Sequence, residues 1–286
     1  MPLSLAASLL PCLLLLAAPA LAQRAADGPP ATDPFGRRAV PAQAVPGGRY
    51  RAHTLAGHTL TVSATDGSTL QVRPWAAGVV RLLYLAPGRA ARPDTSVSVV
   101  QPAAAFATPE TASAAPQLLN QPTRLVLAYG QGASAGAVVL DKRTLRLSIA
   151  GAGGALAQAG PAFVRRAAAP TPATAPGPGG TAVRFGLAPG EQLFGTGSRA
   201  LPLDRRGYRL ELYNQAHYAS QNGEPNLNIA LPVVLSSRGY LLFFDHHAAG
   251  YLDLGKADPN VLEYGNEGLN SLAYFVVTGQ IGRAHV

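Results

Sequence analysis

From Tyr50 onward the chain repeats one pattern: a short run of alternating apolar and polar residues, then a turn. Leu60-Thr61-Val62-Ser63-Ala64 alternates, Asp66-Gly67 supplies a turn, and Leu70-Gln71-Val72-Arg73 alternates again, which predicts a hairpin. Val79-Val80-Arg81-Leu82-Leu83-Tyr84-Leu85 reads as a further strand closed by Pro87-Gly88, and residues 96–100 as a short one. Thr123-Arg124-Leu125-Val126-Leu127-Ala128-Tyr129 and Ala137-Val138-Val139-Leu140 flank a glycine-rich turn. Asp141-Lys142 then leads into Leu145-Arg146-Leu147-Ser148-Ile149, and Ala182-Val183-Arg184-Phe185 resumes strand character. A period of two puts alternate side chains on one face, so each run offers an apolar face to a shared core. Nowhere beyond Tyr50 is the 3.6-residue apolar period of an amphipathic helix sustained. Many short strands between turns predict an all-β fold, an antiparallel sandwich or barrel. Residues 102–121 and 167–180, loaded with Ala, Pro, Gly and Thr, are expected as surface connections.

The start of the chain follows a different rule. Residues 1–22 hold no charged side chain, a leucine-rich run at 9–16 and the small-residue pattern Ala20-Leu21-Ala22. That layout is expected of a secretory signal cut after Ala22, although only the α-amino group supplies its positive charge. The run is short of the roughly 20 residues a spanning helix needs, and no later stretch is apolar enough to cross a bilayer. Residues 23–48 are expected as a flexible exported leader, and residues 49–280 as the β-domain. The expected location is periplasmic or extracellular. Cys12 is the only cysteine, and Pro11 before it argues against a lipoprotein. Once the signal is removed, no disulfide or thiol chemistry is available.

Charge removes one class of partner. The net charge is +8, but only Lys142 and Lys256 are lysines, and the arginines are scattered with pairs at Arg37-Arg38, Arg165-Arg166 and Arg205-Arg206. No basic stripe or aromatic-interleaved basic motif occurs, so nucleic acid is not an expected partner. The 48% apolar content over 286 residues is enough for a packed core.

More specific signals begin at Gly190. Gly190-Glu191-Gln192-Leu193-Phe194-Gly195-Thr196-Gly197-Ser198-Arg199 is followed by Leu203-Asp204-Arg205-Arg206-Gly207 and the aromatic-Asn element Tyr213-Asn214. Next come Leu231-Pro232-Val233-Val234 and Gly239-Tyr240-Leu241-Leu242-Phe243-Phe244-Asp245. In order and spacing this resembles glycoside hydrolase family 31, from its glycine-rich turn onward. The resemblance covers residues 54–279, and Leu212-Tyr213-Asn214 with His217-Tyr218 is similar to exported bacterial α-xylosidases, α-glucosidases and a 4-α-glucosyltransferase. It implies that the β-domain is the family's N-terminal, galactose-mutarotase-like sandwich. It also implies that the loop bearing Tyr213, Asn214, His217 and Tyr218 stands over the active-site mouth of a (β/α)8 barrel, and Arg199, at the end of the glycine-rich turn, is expected with them as a substrate-binding residue.

The side chains suit an oligosaccharide substrate. Tyr213, His217 and Tyr218 offer flat apolar faces with polar edges for a pyranose. Asn214 can donate and accept hydrogen bonds. Gly195 and Gly197 suit a tight turn near a ligand. The bland alternative is that the tyrosines fill a core and Asn214 caps a turn. Many α-glucosidases of the family carry an aspartate two residues after this asparagine; Ala216 stands here, so the sugar is left open. His246-His247 cannot both face one site in a strand, and no acidic or cysteine partner lies at ligand spacing, so no metal or cofactor is expected. Asp253 follows Tyr251 in a turn-like segment and is expected to fix local backbone. No Gly-x-Ser-x-Gly elbow occurs.

The resemblance implies double displacement by two aspartates of the barrel, and neither lies in this sequence. The barrel takes on the order of 250 residues. The expectation is therefore an N-terminal domain of a retaining α-glycosidase or α-glucosyltransferase whose barrel is missing. Two alternatives stand beside it: a carbohydrate-binding sandwich complete in itself, and an aldose mutarotase using His217 and Glu224. Residues 281–286, Ile-Gly-Arg-Ala-His-Val, depart from the family pattern and match one frame of a common sequencing adapter. They are expected to be non-native.

Overall fold

The computed structural model describes residues 48–89, 115–132, 135–151, 154–159, 164–166, 180–214, 222–224, 226–245, 249–266 and 270–279. Among them, eighteen strands form three antiparallel sheets, and no α-helix is present. The largest sheet runs β1 (Tyr50–Ala56), β2 (Thr59–Ala64), β3 (Thr69–Ala76), β4 (Val79–Leu85), β18 (Ser271–Thr278), β15 (Tyr240–Phe244), β14 (Ala230–Ser236), β12 (Leu193–Gly197). The second runs β10 (Val164–Arg166), β11 (Gly180–Gly186), β17 (Val261–Asn266), β16 (Gly250–Leu254), β13 (Arg209–Leu212). The third is β5 (Gln117–Asn120), β6 (Arg124–Tyr129), β7 (Gly136–Asp141), β8 (Leu147–Gly151), β9 (Gly154–Ala157).

Alternation decides which side chains enter the core. β2 buries Leu60, Val62 and Ala64 and turns Thr59, Thr61 and Ser63 outward, and β6 buries Leu125, Leu127 and Tyr129. One apolar cluster joins all three sheets, with Leu82, Leu242 and Tyr274 from the first, Val183, Leu252 and Tyr264 from the second, and Leu140 and Ile149 from the third. Each such side chain contributes about 1.5–3 kcal/mol by leaving water. Phe244 stacks on Tyr264 with ring centroids 4.0 Å apart, and Phe185 meets Tyr274 edge-on at 5.7 Å, so the first two sheets pack face to face.

Gln158 ties the third sheet to both others. Its side-chain oxygen accepts the Leu147 N–H at 3.0 Å, and its amide nitrogen donates to the Tyr274 hydroxyl at 3.1 Å. A single antiparallel bridge from Gln158 to Phe185 extends the layer into the second sheet. A buried amide satisfied on both ends fixes how three sheets meet, because leaving either end unmade would cost roughly 1–3 kcal/mol.

The hairpin expected at Asp66-Gly67 is present between β2 and β3, with Gly67 at φ +84° and the Asp66 carboxylate accepting the Ser68 N–H at 2.9 Å. The segment expected as turn-like around Tyr251 and Asp253 is instead strand β16. Both β16 and β17 are buried on each face, so they lack the alternation that marks a half-buried strand. The strand expected at residues 96–100 lies outside the described residues.

Candidate functional site

The described part of the candidate site lies where two sheets end on the same side. β12 is an edge strand of the eight-stranded sheet and β13 an edge strand of the second. The segment from 190 to 199, expected as a tight glycine turn, is mainly strand β12 with an irregularity against β14 between Gly195 and Gly197. Both glycines have positive φ, +97° and +90°. A Cβ on Gly195 would come within 2.8 Å of the Val233 carbonyl oxygen, and one on Gly197 within 2.3 Å of the Ile229 carbonyl oxygen. The glycines therefore serve close backbone approach between two strands, and Thr196 between them also takes a left-handed φ of +70°.

Below this strand lies a set of buried polar holds. Glu191, 3% exposed, accepts hydrogen bonds from the Ser236 and Tyr240 hydroxyls, both at 2.5 Å, and from the Ala188 N–H at 2.8 Å. Burial and the neighbouring Glu191 carboxylate push the Tyr240 hydroxyl far above the ordinary tyrosine value, so it stays a donor. Arg206 donates to the carbonyls of Ala188, Glu191 and Pro259. Asp204 accepts the N–H groups of Leu193 and Arg206. These carboxylates and guanidinium groups hold backbone.

Arg199 sits inside the same framework, 7% exposed. It donates to the Thr196 carbonyl at 3.1 Å, the Asn226 side-chain oxygen at 3.2 Å and the Glu211 carbonyl at 2.8 Å. Burial, and then the charge of Arg205, lower its pKa to about 10, and it remains a cation at neutral pH. Asn226 in turn donates to the Tyr213 carbonyl at 3.2 Å. Asn214 accepts the Ala230 N–H at 2.6 Å, where β14 begins. The connection from β13 to β14 is thus clamped at both ends, by Asn214 with Ala230 and by Arg199 with Asn226.

Tyr213 points the other way. It is 57% exposed, beside Ile229 at 52% and Leu231 at 48%. The structure brings Tyr213, Asn214 and Arg199 to one edge of the sandwich, with Tyr213 outermost, Asn214 at the loop base and Arg199 beneath. His217, Tyr218 and Ala216 lie outside the described residues, as do His246 and His247. Glu224 has its carbonyl accepting the Ala200 N–H at 3.1 Å, and its proposed partner His217 is among the undescribed residues. Asp253 lies in β16 and holds the backbone that follows, accepting the Lys256 and Ala257 N–H groups.

Sequence reasoning missed Asn226 and the role of Glu191. The signal for Asn226 was the amide-rich run Asn222 to Asn228 bracketing the loop; Glu191 carried none, because its partners Ser236 and Tyr240 come from β14 and β15. Chemically, the described edge can present an aromatic face and amide groups to a ligand. Among the described residues no group of three His, Cys, Asp or Glu could hold a metal ion.

The family described as the glycosyl hydrolase 31 N-terminal galactose mutarotase-like domain matches residues 59–253. No curated protein matches the sequence. Among solved structures, the chain is similar to a GH31 dextranase of Flavobacterium johnsoniae complexed with glucose: TM-score 0.67, 18% identity, 83% of this chain and 27% of that one. It is also similar to the cycloalternan-forming enzyme of Listeria monocytogenes in complex with a pentasaccharide, at TM-score 0.61 and 14% identity, over 82% of this chain and 21% of that one. A GH31 α-xylosidase from a soil metagenome, complexed with xylose, gives TM-score 0.58 and 18% identity over 80% and 32%. The chain spans about a quarter of the length of the first of these structures, 27%. The antiparallel strands, the core they share and the match over most of the described residues place the chain in the glycosyl hydrolase 31 N-terminal galactose mutarotase-like domain family.

Proposed function

We propose that this chain is the substrate-site domain of an exported retaining α-glycosidase or α-glucosyltransferase acting on α-glucosidic or α-xylosidic oligosaccharides. The single observation that carries the reading is the clamped β13–β14 connection within a domain of this family. Arg199, Asn226 and Asn214 hold its ends, and Tyr213 stands outward where a sugar ring can stack. Asn214 is a hydrogen-bonding group at the loop base, and His217 and Tyr218 are further substrate contacts in this reading. Arg199 acts as a positioning residue. That the dextranase, the cycloalternan-forming enzyme and the xylosidase were each solved with a sugar bound supports an oligosaccharide as ligand.

The chemistry belongs to two aspartates on a barrel beyond this sequence, about 5 Å apart as retention requires. One attacks the anomeric carbon and the other protonates the leaving oxygen, then activates water or a sugar hydroxyl. Export rests on the apolar residues 1–22, and residues 281–286 are read as non-native.

The test uses the full-length gene product, assayed for release of glucose or xylose from α-linked oligosaccharides. Tyr213→Ala is expected to raise KM about tenfold, the worth of about 1.4 kcal/mol, with kcat little changed. A full-length protein that folds but cleaves and transfers no α-glycoside would overturn the catalytic reading. An unchanged KM in Tyr213→Ala would remove the loop from the substrate site.

A further inference from the structure

Three successive residues inside β12 have left-handed backbone: Gly195, Thr196 and Gly197, at φ +97°, +70° and +90°. Space obliges the outer two to be glycine, since a Cβ on either would run into a facing carbonyl oxygen. Thr196 is a β-branched residue at a φ that costs such a residue stability. Among the described residues the other non-glycine with positive φ is Leu145, which closes the turn after β7 with its N–H donating to the Asp141 carbonyl at 2.7 Å. Thr196 instead lies within a strand, wholly buried, its hydroxyl donating to the Gly195 carbonyl at 2.6 Å. Strain of this kind persists only where the surrounding structure holds it in place. Two features of the neighbouring β13–β14 connection depend on it. The first is register: Gly195 pairs with Val234 and Gly197 with Ala230, so β14 advances four residues while β12 advances two. Pro232, which has no N–H to leave unpaired, sits in the surplus. That shift brings Ala230 to Gly197, and Ala230 is the residue whose N–H the Asn214 side chain accepts. The second is the Thr196 carbonyl, which accepts Arg199 Nε at 3.1 Å. Arg199 in turn holds the Glu211 carbonyl and the Asn226 side chain, and Asn226 holds the Tyr213 carbonyl. Both clamps of the connection therefore lead back to one residue.

We propose that Thr196 is a positioning residue for the substrate loop. Its restricted backbone fixes the register of β14 against β12 and aims the carbonyl that seats Arg199, so that Tyr213 is held at the outer edge. The inference rests on the reading of the β13–β14 connection as part of an α-glycoside substrate site. A glycine at this position would take the same φ without strain, but it would leave three glycines in a row. Their freedom would let the carbonyl swing away from Arg199 and the ladder slip between Gly195 and Gly197. A side chain on the middle residue removes that freedom. Stability is given up here for a loop base with one geometry, the exchange expected where binding depends on a fixed site.

Hydrogen exchange and steady-state kinetics on an α-linked oligosaccharide, both measured on the full-length gene product, test this. The reporters are the amides of Ser198, Leu227 and Ala230, which donate to the Ile229 carbonyl, the Ser198 carbonyl and the Asn214 side chain. The reference is the Leu147 amide, held by Gln158 in another sheet. In Thr196→Gly the reporters are expected to exchange roughly tenfold faster with Leu147 unchanged. KM is expected to rise about fivefold with kcat held. Thr196→Ser keeps the Cβ and the hydroxyl and is expected to match the unmodified protein. Leu145→Gly, which relieves the same kind of φ elsewhere, is expected to leave the reporters and KM as they were. Should Thr196→Gly fail to fold, Thr196→Ala, which removes the hydroxyl and the branch, is expected to show a smaller acceleration at the same three amides. Reporters that exchange as in the unmodified protein overturn the proposal. So does acceleration shared equally by Leu147, which marks a merely structural residue. Faster reporters with an unchanged KM in an active enzyme also overturn it. Faster reporters in a folded full-length protein that cleaves and transfers no α-glycoside leave Thr196 as the residue that positions the loop and remove the catalytic reading instead.

Discussion

Two faces of this molecule point away from the core, and they are finished differently. On the second sheet, Arg184, Glu263, Asp253 and Arg209 stand in one row across β11, β17, β16 and β13. Arg184 pairs with Glu263, which also accepts the Tyr251 hydroxyl. Arg209 reaches Asp253 at 3.3 Å and lies 3.8 Å over the Tyr251 ring. Tyr251 in turn lies flat over Gly265, where a Cβ would come within 2.5 Å of the ring. Every charge in that row has its complement in the same face. On the eight-stranded sheet the corresponding rows are apolar, and Arg73 stands directly opposite Arg81, a like-charge arrangement that costs stability. The first face pairs its charges within itself, whereas the second carries apolar rows across four strands and sets two arginines opposite each other.

The comparison breaks hardest at Phe275. Phe275→Ala removes the ring that Trp75 and Phe243 pack against, and about 3 kcal/mol of unfolding free energy is expected to go with it in a denaturant titration. On the polar face, Glu263→Ala removes the carboxylate that pairs with Arg184 and accepts the Tyr251 hydroxyl, and is expected to cost about 2 kcal/mol by the same measurement. Replacing Arg184, Tyr251 and Glu263 together by Met, Phe and Leu is expected to cost less than Glu263→Ala alone, because the ion pair and the hydroxyl that bonds it are removed together.

Asp141, in the turn after β7, has its carboxylate held below the ordinary value of 3.8 by hydrogen bonds from the Thr144 hydroxyl and N–H. A carboxyl whose folded pKa is depressed stabilises above its unfolded value and loses that contribution as pH falls through the folded one. Stability is therefore expected to decline below pH 3.8, and Asp141→Asn to flatten that decline in thermal melts across pH. Leu241→Thr has the smallest effect on folding, within about 0.5 kcal/mol. It interrupts an apolar row, so the 286-residue chain is expected to bind less of a hydrophobic dye in a fluorescence titration.

Some of this is legible in the chain and some is not. β4 begins and ends at Val79 and Leu85, where the apolar run begins and ends. β16 and β17 escaped because burial on both faces removes alternation, and Gly250, Gly255 and Asp253 imitate a turn. At the candidate site, Tyr213 and Asn214 stand out as residue types, but the inward turn of Arg199 does not. Its partners are the Glu211 carbonyl and the Asn226 side chain, which a linear reading has no means to bring together.

Strand identity, inward-facing residues and the glycine-dependent hairpin at Gly67 follow from the sequence by itself, because periodicity and backbone sterics act over a few residues. The apolar runs of β4, β15 and β18 are equally visible there as separate segments. Only the tertiary structure sets β18 between β4 and β15, so that Val79, Val277 and Leu241 become one surface and not three. Strand neighbours and register are chosen by the packing of whole sheets, where Gln158 and Tyr274 or Glu191 and Tyr240 meet from distant parts of the chain.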